Sequence, residues 1–255
     1  MKKIKFKRGF VMIRVLVWNE FQHEFKNERV KSIYPDGIHK CIGEFLSKDE
    51  EIEVSYAWLE KDENCGITKE VLDNTDVIIW WGHMAHSRVP DEVAKLVQEA
   101  VLNGMGAIFL HSAHHSKPFT MLLGTPAHLT WRETGDSETL WVIEPSHPIT
   151  RDIDRYFVLP KEETYGEPFT IPTPDKLLLI GNYSGGEVFR SGCLWDRGNG
   201  KIFYFQPGHE TFPIYYDANV QSIIRNAVHF VAPTYRAPLT CPHVRKITDP
   251  AGYVI

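Results

Sequence analysis

Cysteine is scarce in this chain: Cys41, Cys65, Cys193 and Cys241 are the only four in 255 residues, widely scattered and without a C-x-x-C pair. That spacing argues against a disulfide framework and is the usage expected of reduced thiols in the cytoplasm. Long apolar runs are lacking too, and nothing approaches the roughly 20 residues that span a bilayer. Basic charge is in deficit, with 28 Lys and Arg against 33 Asp and Glu and a formal net charge of -5. No dense basic block follows the opening Met1-Lys2-Lys3-Ile4-Lys5-Phe6-Lys7-Arg8. Nucleic acid and anionic membranes are therefore not expected as partners, and a small molecule is. The apolar stretch after that opening is broken by Arg14 and has no small-residue cleavage pattern, so it is not expected to be a signal peptide.

Several catalytic signatures are absent as well. There is no GxxxxGK[ST], and Gly104-Met105-Gly106 precedes a strand pattern instead of opening a helix, so no nucleotide cofactor is expected. His23-Glu24 and His209-Glu210 each lack the second histidine of HExxH. Ser112 lacks the G-x-S-x-G surroundings of an elbow serine.

What is present is a regular alternation. Ile13 to Trp18, Ile52 to Trp58, Asp76 to Trp81 and Gly106 to Leu110 read as strands, the last two as nearly continuous apolar runs of the kind buried on both faces of a parallel sheet. Between them lie helical patterns: one opened by Pro35-Asp36-Gly37, one capped by Thr68, and one running from Pro90 to Asn103-Gly104 with Val93, Leu96, Val97, Ala100 and Val101 as its apolar stripe. Residues 116–175 look irregular, with short extended candidates near Leu140 to Ile143 and at Phe157. Leu177 to Gly181, Glu187 to Phe189 and Lys201 to Phe205 read as three further strands, with Asp196 to Gly200 as a turn. A helix is expected from Asn219 to Phe230. The expected organisation is a disordered extension over residues 1–11, a single domain over 12–232 and an extended tail over 233–255 that packs on the domain or on a neighbouring subunit of a homo-oligomer.

Polar side chains gather where these strands end. Asn19, Glu20 and His23 follow the first strand, His83 and His86 the third, His111, Ser112, His114 and His115 the fourth, and His209 and Glu210 the last. In a parallel sheet such ends share the carboxyl edge, where ligands bind. Glu162, Glu163, Tyr165 and Glu167 form an acidic loop from which one glutamate can face the crevice as a general acid or base. Trp18, Trp80 and Trp81 are candidates for apolar platforms under a sugar, although Trp80 and Trp81 fit sheet core better.

Phe205-Gln206-Pro207-Gly208-His209-Glu210 resembles the late-strand His-x-Glu region of class I glutamine amidotransferases, and His111-Ser112-Ala113 stands where their nucleophile elbow would lie, but without its cysteine. A closer resemblance, over nearly all of Ile13 to Ala232, is to the trehalose-utilisation, ThuA-like family. The matching motifs include Val17-Trp18-Asn19-Glu20-Phe21, Leu110-His111-Ser112-Ala113-His114-His115-Ser116, Trp131-Arg132-Glu133, His147-Pro148-Ile149, Glu162-Glu163-x-Tyr165-Gly166-Glu167 and Pro207-Gly208-His209-Glu210-Thr211. The resemblance implies an α/β, flavodoxin-like doubly wound sandwich with a mostly parallel central sheet and helices on both faces. It also implies a role in disaccharide catabolism, on trehalose or its 3-keto oxidation products.

Three functions are weighed on these residues. The first is a sugar-modifying enzyme with His209, Glu163 and His111 as catalytic groups and Trp18, Asn19, Glu20, His83, Ser112, Tyr165 and Glu210 against the substrate. A divalent zinc, manganese or iron ion would there be held by His23, His114 and His209. The second is a covalent hydrolase using Ser112, His209 and Glu210 as nucleophile, base and orienting group. The third is a non-catalytic sugar-binding protein, which dispersed strand-end histidines would favour.

Overall fold

The computed structural model describes residues 12–241. The expected extension over 1–11 and the tail beyond 241 lie outside the described residues. Nine strands form one sheet in the order β2-β1-β3-β4-β9-β8-β7-β5-β6. Strands β1 (Ile13–Asn19), β2 (Ile52–Trp58), β3 (Val77–Trp81), β4 (Gly106–Leu110) and β9 (Gly200–Phe205) run parallel. Strands β5 (Thr130–Val142), β6 (Tyr156–Gly166), β7 (Lys176–Tyr183) and β8 (Val188–Arg197) are joined only by antiparallel pairings. The expectation of a mostly parallel sheet is thus corrected: the sheet is mixed, because hairpins and not helical crossovers connect its second half.

Helices cover both faces of the parallel half, and the alternation of side chains along each strand divides the core accordingly. Val15, Val17, Val77 and Ile79 pack with α2 (Glu28–Ile33), which follows the single-turn α1 (His23–Lys26), and with α3 (Ile38–Leu46) and α7 (Ala218–Val231). Leu16, Trp18, Ile78 and Trp80 pack on the other side with α4 (Lys69–Asp73), α5 (Asp91–Leu102) and α6 (Lys117–Leu123). Local chemistry places the helix starts. The Thr68 side chain accepts from the N–H of Val71, Ser116 from Phe119, and Asp217 from Asn219 and Val220, as N-caps do. Gly104, at φ +124°, ends α5 in a conformation that glycine adopts without strain. Among the described residues no helix is long and apolar enough to cross a membrane.

The departure from the sequence expectation lies in the middle of the chain. Where short extended pieces were expected, β5 and β6 form a long hairpin whose pairing slips twice, between Arg132 and Asp136 and between Asp136 and Glu138. Such bulges bend and twist a hairpin. Its near end, Trp131 paired with Tyr165, is carried to the tips of β9 and β4: the Gly208 N–H donates to Glu162 and the Ser112 hydroxyl meets Tyr165. The bent hairpin therefore walls the carboxyl edge of the parallel strands.

Candidate active site

Four strand tips and the β6 end meet at this edge. His111 leaves β4 at φ +53°, a strained conformation for a residue with a side chain. A sharp strand-to-helix turn of this kind is what an elbow nucleophile occupies, and here it carries an imidazole. Gly208 fixes the neighbouring tip: at φ +150° its backbone passes so close to Tyr215 that an added Cβ would stand 2.1 Å from the phenol oxygen. The Trp81 indole donates to the Gly208 carbonyl at 3.1 Å, tying β3 to the same turn.

Three imidazole rings face one another. Ring centres lie 5.8 Å apart for His83 and His111, 5.4 Å for His111 and His209, and 5.5 Å for His83 and His209. With Glu163 these side chains offer four ligand atoms within 4.8 Å of one another. His111 Nε2 and Glu163 Oε2 are 3.0 Å apart but not aligned as a hydrogen bond, and both atoms, with His209 Nε2, are buried without a hydrogen-bond partner. Orphaned buried polar atoms are costly, and three converging on one point fit a cation. The far nitrogen of His111 is held from behind, as that of a ligand imidazole usually is, with Nδ1 3.0 Å from the Gln206 carbonyl; His209 Nδ1 instead accepts from the Thr211 N–H at 3.3 Å and lies 2.8 Å from the Thr211 hydroxyl.

Electrostatics separate the histidines. Burial, helped by His111, His23 and His209, pulls His83 down to about 2, and burial and His111 pull His209 down to about 3. Both are therefore neutral at physiological pH and have lone pairs to give. Burial opposes the charge on His111 as well, but Glu163, Glu162 and Glu210 outweigh it and raise that imidazole to about 9, so it is charged at neutral pH and a cation bound at Nε2 would have to displace that proton.

Beside this set lies a second one, His23, His83 and Glu210, with His23 Nδ1 3.2 Å from Glu210 Oε1 and His23 Nε2 3.1 Å from His83 Nδ1. Burial pushes the Glu210 carboxyl up to about 7, where it can gain or lose a proton near neutrality. Glu162, one residue before Glu163, is fully buried and also pushed up to about 7 by burial. Its carboxylate accepts from the N–H groups of Glu163, Gly208 and His209 and so locks the β6 end to the β9 tip. The sequence marks Glu162 only as one of the acidic-loop glutamates that could face the crevice; this lock is not legible there because its contacts span the fold.

The expected site residues fall into two groups. His83, His111, Glu163 and His209 come together as one ligand set, and His23 and Glu210 stand next to it. Ser112, Tyr165 and His83 line a cleft of about 300 Å³ together with Met84, His114, Trp131, Glu133 and Glu163. Three residues expected against substrate lie elsewhere. Trp18 is core: it stacks on Trp80 at 3.9 Å, its partner in the β1–β3 register, and its indole donates to the Cys65 carbonyl. Asn19 is buried and occupied by Glu24, His39 and the Phe21 N–H. Glu20 accepts from the N–H groups of His83, Met84 and Ala85 at 2.8–3.1 Å and anchors that loop.

Two chemical expectations are corrected as well. His114 belongs to neither ligand set; its Nδ1 meets the Ala127 carbonyl at 2.8 Å, and burial and His115 hold the ring well below the usual imidazole range. The geometry thus does not bring His23, His114 and His209 together as one set; it groups His209 with His83, His111 and Glu163. The covalent triad does not form either. Ser112 Oγ bonds the Tyr165 hydroxyl at 2.7 Å, while His209 Nδ1 is taken by Thr211 and lies 3.9 Å from Glu210 Oε2. No Ser112–His209 hydrogen bond is formed, so the base is not placed to take the hydroxyl proton.

The family model described as ThuA, trehalose utilisation, matches residues 14–231. Among curated proteins nothing matches. Similar solved structures include a protein described as ThuA-like from Bacteroides uniformis, 18% identical, with TM-score 0.61 over 86% of this chain and 91% of that one. Another, described as ThuA-like from Parabacteroides merdae, is 15% identical with TM-score 0.62 over 89% and 94%. A glutamine amidotransferase from Thermotoga maritima is 10% identical with TM-score 0.51 over 86% and 97%. At these identities the likeness shows the fold alone: an α/β architecture of the amidotransferase type around a large mixed sheet.

Proposed function

The chain belongs to the ThuA, trehalose-utilisation family, and from that premise we propose that it is an enzyme converting a disaccharide-type sugar, trehalose or a 3-keto derivative, by metal-assisted acid/base chemistry in the cytoplasm. The observation that carries this reading is the convergence of His83, His111, His209 and Glu163, with three buried ligand atoms left without hydrogen bonds. A nitrogen-rich set with one carboxylate suits zinc, manganese or iron. Held there, such an ion would supply Lewis-acid polarisation of a sugar oxygen.

The chain's own groups then have distinct tasks. Glu210 holds or releases a proton at Oε1, 3.2 Å from His23, with a carboxyl raised to about 7. The Ser112–Tyr165 hydroxyl pair presents neutral donors and acceptors to sugar hydroxyls in the cleft. Glu162 keeps Glu163 and His209 at their mutual spacing through three backbone N–H groups. In the same reading the five parallel strands with helices on each face form a flavodoxin-like doubly wound unit within a single domain over 12–232.

The test is metal analysis of the purified protein followed by incubation with trehalose and 3-keto-trehalose under NMR detection. Wild-type protein is expected to retain close to one divalent ion per chain and to consume one of the sugars. His209→Ala should lose both properties, and His114→Ala should keep the ion. Equal metal content in wild type and His209→Ala would refute the assignment.

A further inference from the structure

The cleft has one unusual wall. At about 300 Å³ it lies at the lower end of small-molecule sites, room for one pyranose ring with a second ring of a disaccharide reaching to the rim. The rim on the β5 side is Trp131, a tryptophan with 64% of its surface exposed. Large aromatics left open to water beside a polar cleft commonly mark binding surfaces. Met84, 68% exposed, and the half-buried Leu129 also line this cleft.

The local sequence explains why Trp131 points there. In a strand, residues two apart share a face, so Trp131 and Glu133 turn to the cleft while Arg132 turns away. Arg132 is clamped on that outer side, its guanidinium bonded to Asp136 at 3.0 Å and to both oxygens of Glu187. Asp136 in turn accepts from Thr164 on β6 and Ser184, each at 2.8 Å. The clamp holds a bulged segment whose ladder pairing is interrupted just after Arg132, and so fixes the indole on an otherwise weakly paired stretch. Glu133 Oε1 reaches to 3.9 Å from His209 Nε2, placing a carboxylate between the platform and the ligand set.

We propose that Trp131 is the stacking platform for the second, outer ring of the sugar and that, with Glu133 accepting from that ring's hydroxyls, it makes the site selective for disaccharides over monosaccharides. A pyranose presents an apolar C–H face to an indole and an equatorial rim of hydroxyls to a carboxylate, the two surfaces found here side by side. The inference rests on the cleft being a sugar site.

The test is isothermal titration of the metal-loaded protein with trehalose and with glucose, for wild type, Trp131→Ala and Trp131→Phe, with metal content, far-ultraviolet circular dichroism and light scattering recorded for each. Wild type is expected to bind trehalose more tightly than glucose by about two- to tenfold, the range an aromatic contact carries. Trp131→Ala should erase that difference with glucose affinity and metal content unchanged, and Trp131→Phe should restore most of it. A Trp131→Ala protein that keeps the full preference for trehalose overturns the platform while leaving the sugar site standing. Wild type that binds neither sugar removes the sugar site and the platform together. A change of oligomeric state in Trp131→Ala with both affinities intact would assign the indole to a subunit contact instead.

Discussion

Replacing Glu20 by glutamine separates an anchor from a substrate contact. Glu20 is 1% exposed, and its Oε2 accepts from the N–H groups of His83, Met84 and Ala85 at 2.8, 3.1 and 2.9 Å. The amide oxygen of glutamine can take the place of Oε2 and keep these three donors, but the negative charge is gone. A hydrogen bond to a charged group contributes about 1.5–3 kcal/mol and a neutral one about 0.5–1.5, so each bond loses about 1 kcal/mol and the substitution costs about 3 kcal/mol. For a domain of this size each kcal/mol lowers the melting temperature by about 2–4 °C. Calorimetry of Glu20→Gln should accordingly show a fall of about 6–12 °C, with weakened metal retention because the loop carries His83. An unchanged melting temperature together with a raised KM for the sugar would show that Glu20 touches substrate and that the anchor is misassigned.

Ser112→Ala should keep turnover within about tenfold of wild type, because Ser112 Oγ bonds Tyr165 and not His209; a loss near the ~10⁶-fold that removal of a catalytic serine causes would restore the covalent scheme. Trp18→Ala should cost about 3–5 kcal/mol of stability, as deletion of a buried large aromatic does, and leave sugar affinity unaltered; weaker sugar binding in a variant that melts normally would return Trp18 to the site. The Arg14–Asp76 pair sets an acid-side dependence. Burial alone would raise the Asp76 carboxyl, yet the hydrogen bonds and charge of Arg14 hold it below the ordinary carboxylate range. Its contribution is therefore complete above about pH 4, the unfolded value, and is lost as pH falls through the lower folded value. Melting temperatures of Asp76→Asn and wild type should converge on acidification and differ by a constant amount above about pH 5; a gap that widens toward low pH would contradict the pairing.

Much of the parallel half was legible because its signals are local. The apolar runs at Val77 to Trp81 and Gly106 to Leu110 are buried strands as their composition demands, and Thr68 caps its helix through its own side chain. The carboxyl-edge gathering of His83, His111 and His209 followed from that alternation, since parallel strands must present their ends together. The β5–β6 hairpin was not legible. Its Thr, Glu and Gly content reads as loop, and only pairing between residues 15 to 36 positions apart makes it a sheet. Trp18 was misplaced for a related reason: a tryptophan at a strand end fits a platform or a core equally well until the register sets it on Trp80.

Taken alone, the sequence determined the strand–helix alternation, the scarcity of cysteine and the family, together with the set of imidazoles and carboxylates from which a site could be built. Those are properties of composition, short-range periodicity and motif order, which the chain carries in any conformation. The tertiary structure decided which of those groups act together. A ligand set needs atoms within a few ångströms of one another, and that spacing comes from the strained turn at His111, the Gly208–Tyr215 approach and the Glu162 lock across β6 and β9. Each joins residues far apart in the chain, so His114, expected as a metal ligand, could turn toward Ala127 while His83, expected against the substrate, came to stand beside His111, His209 and Glu163.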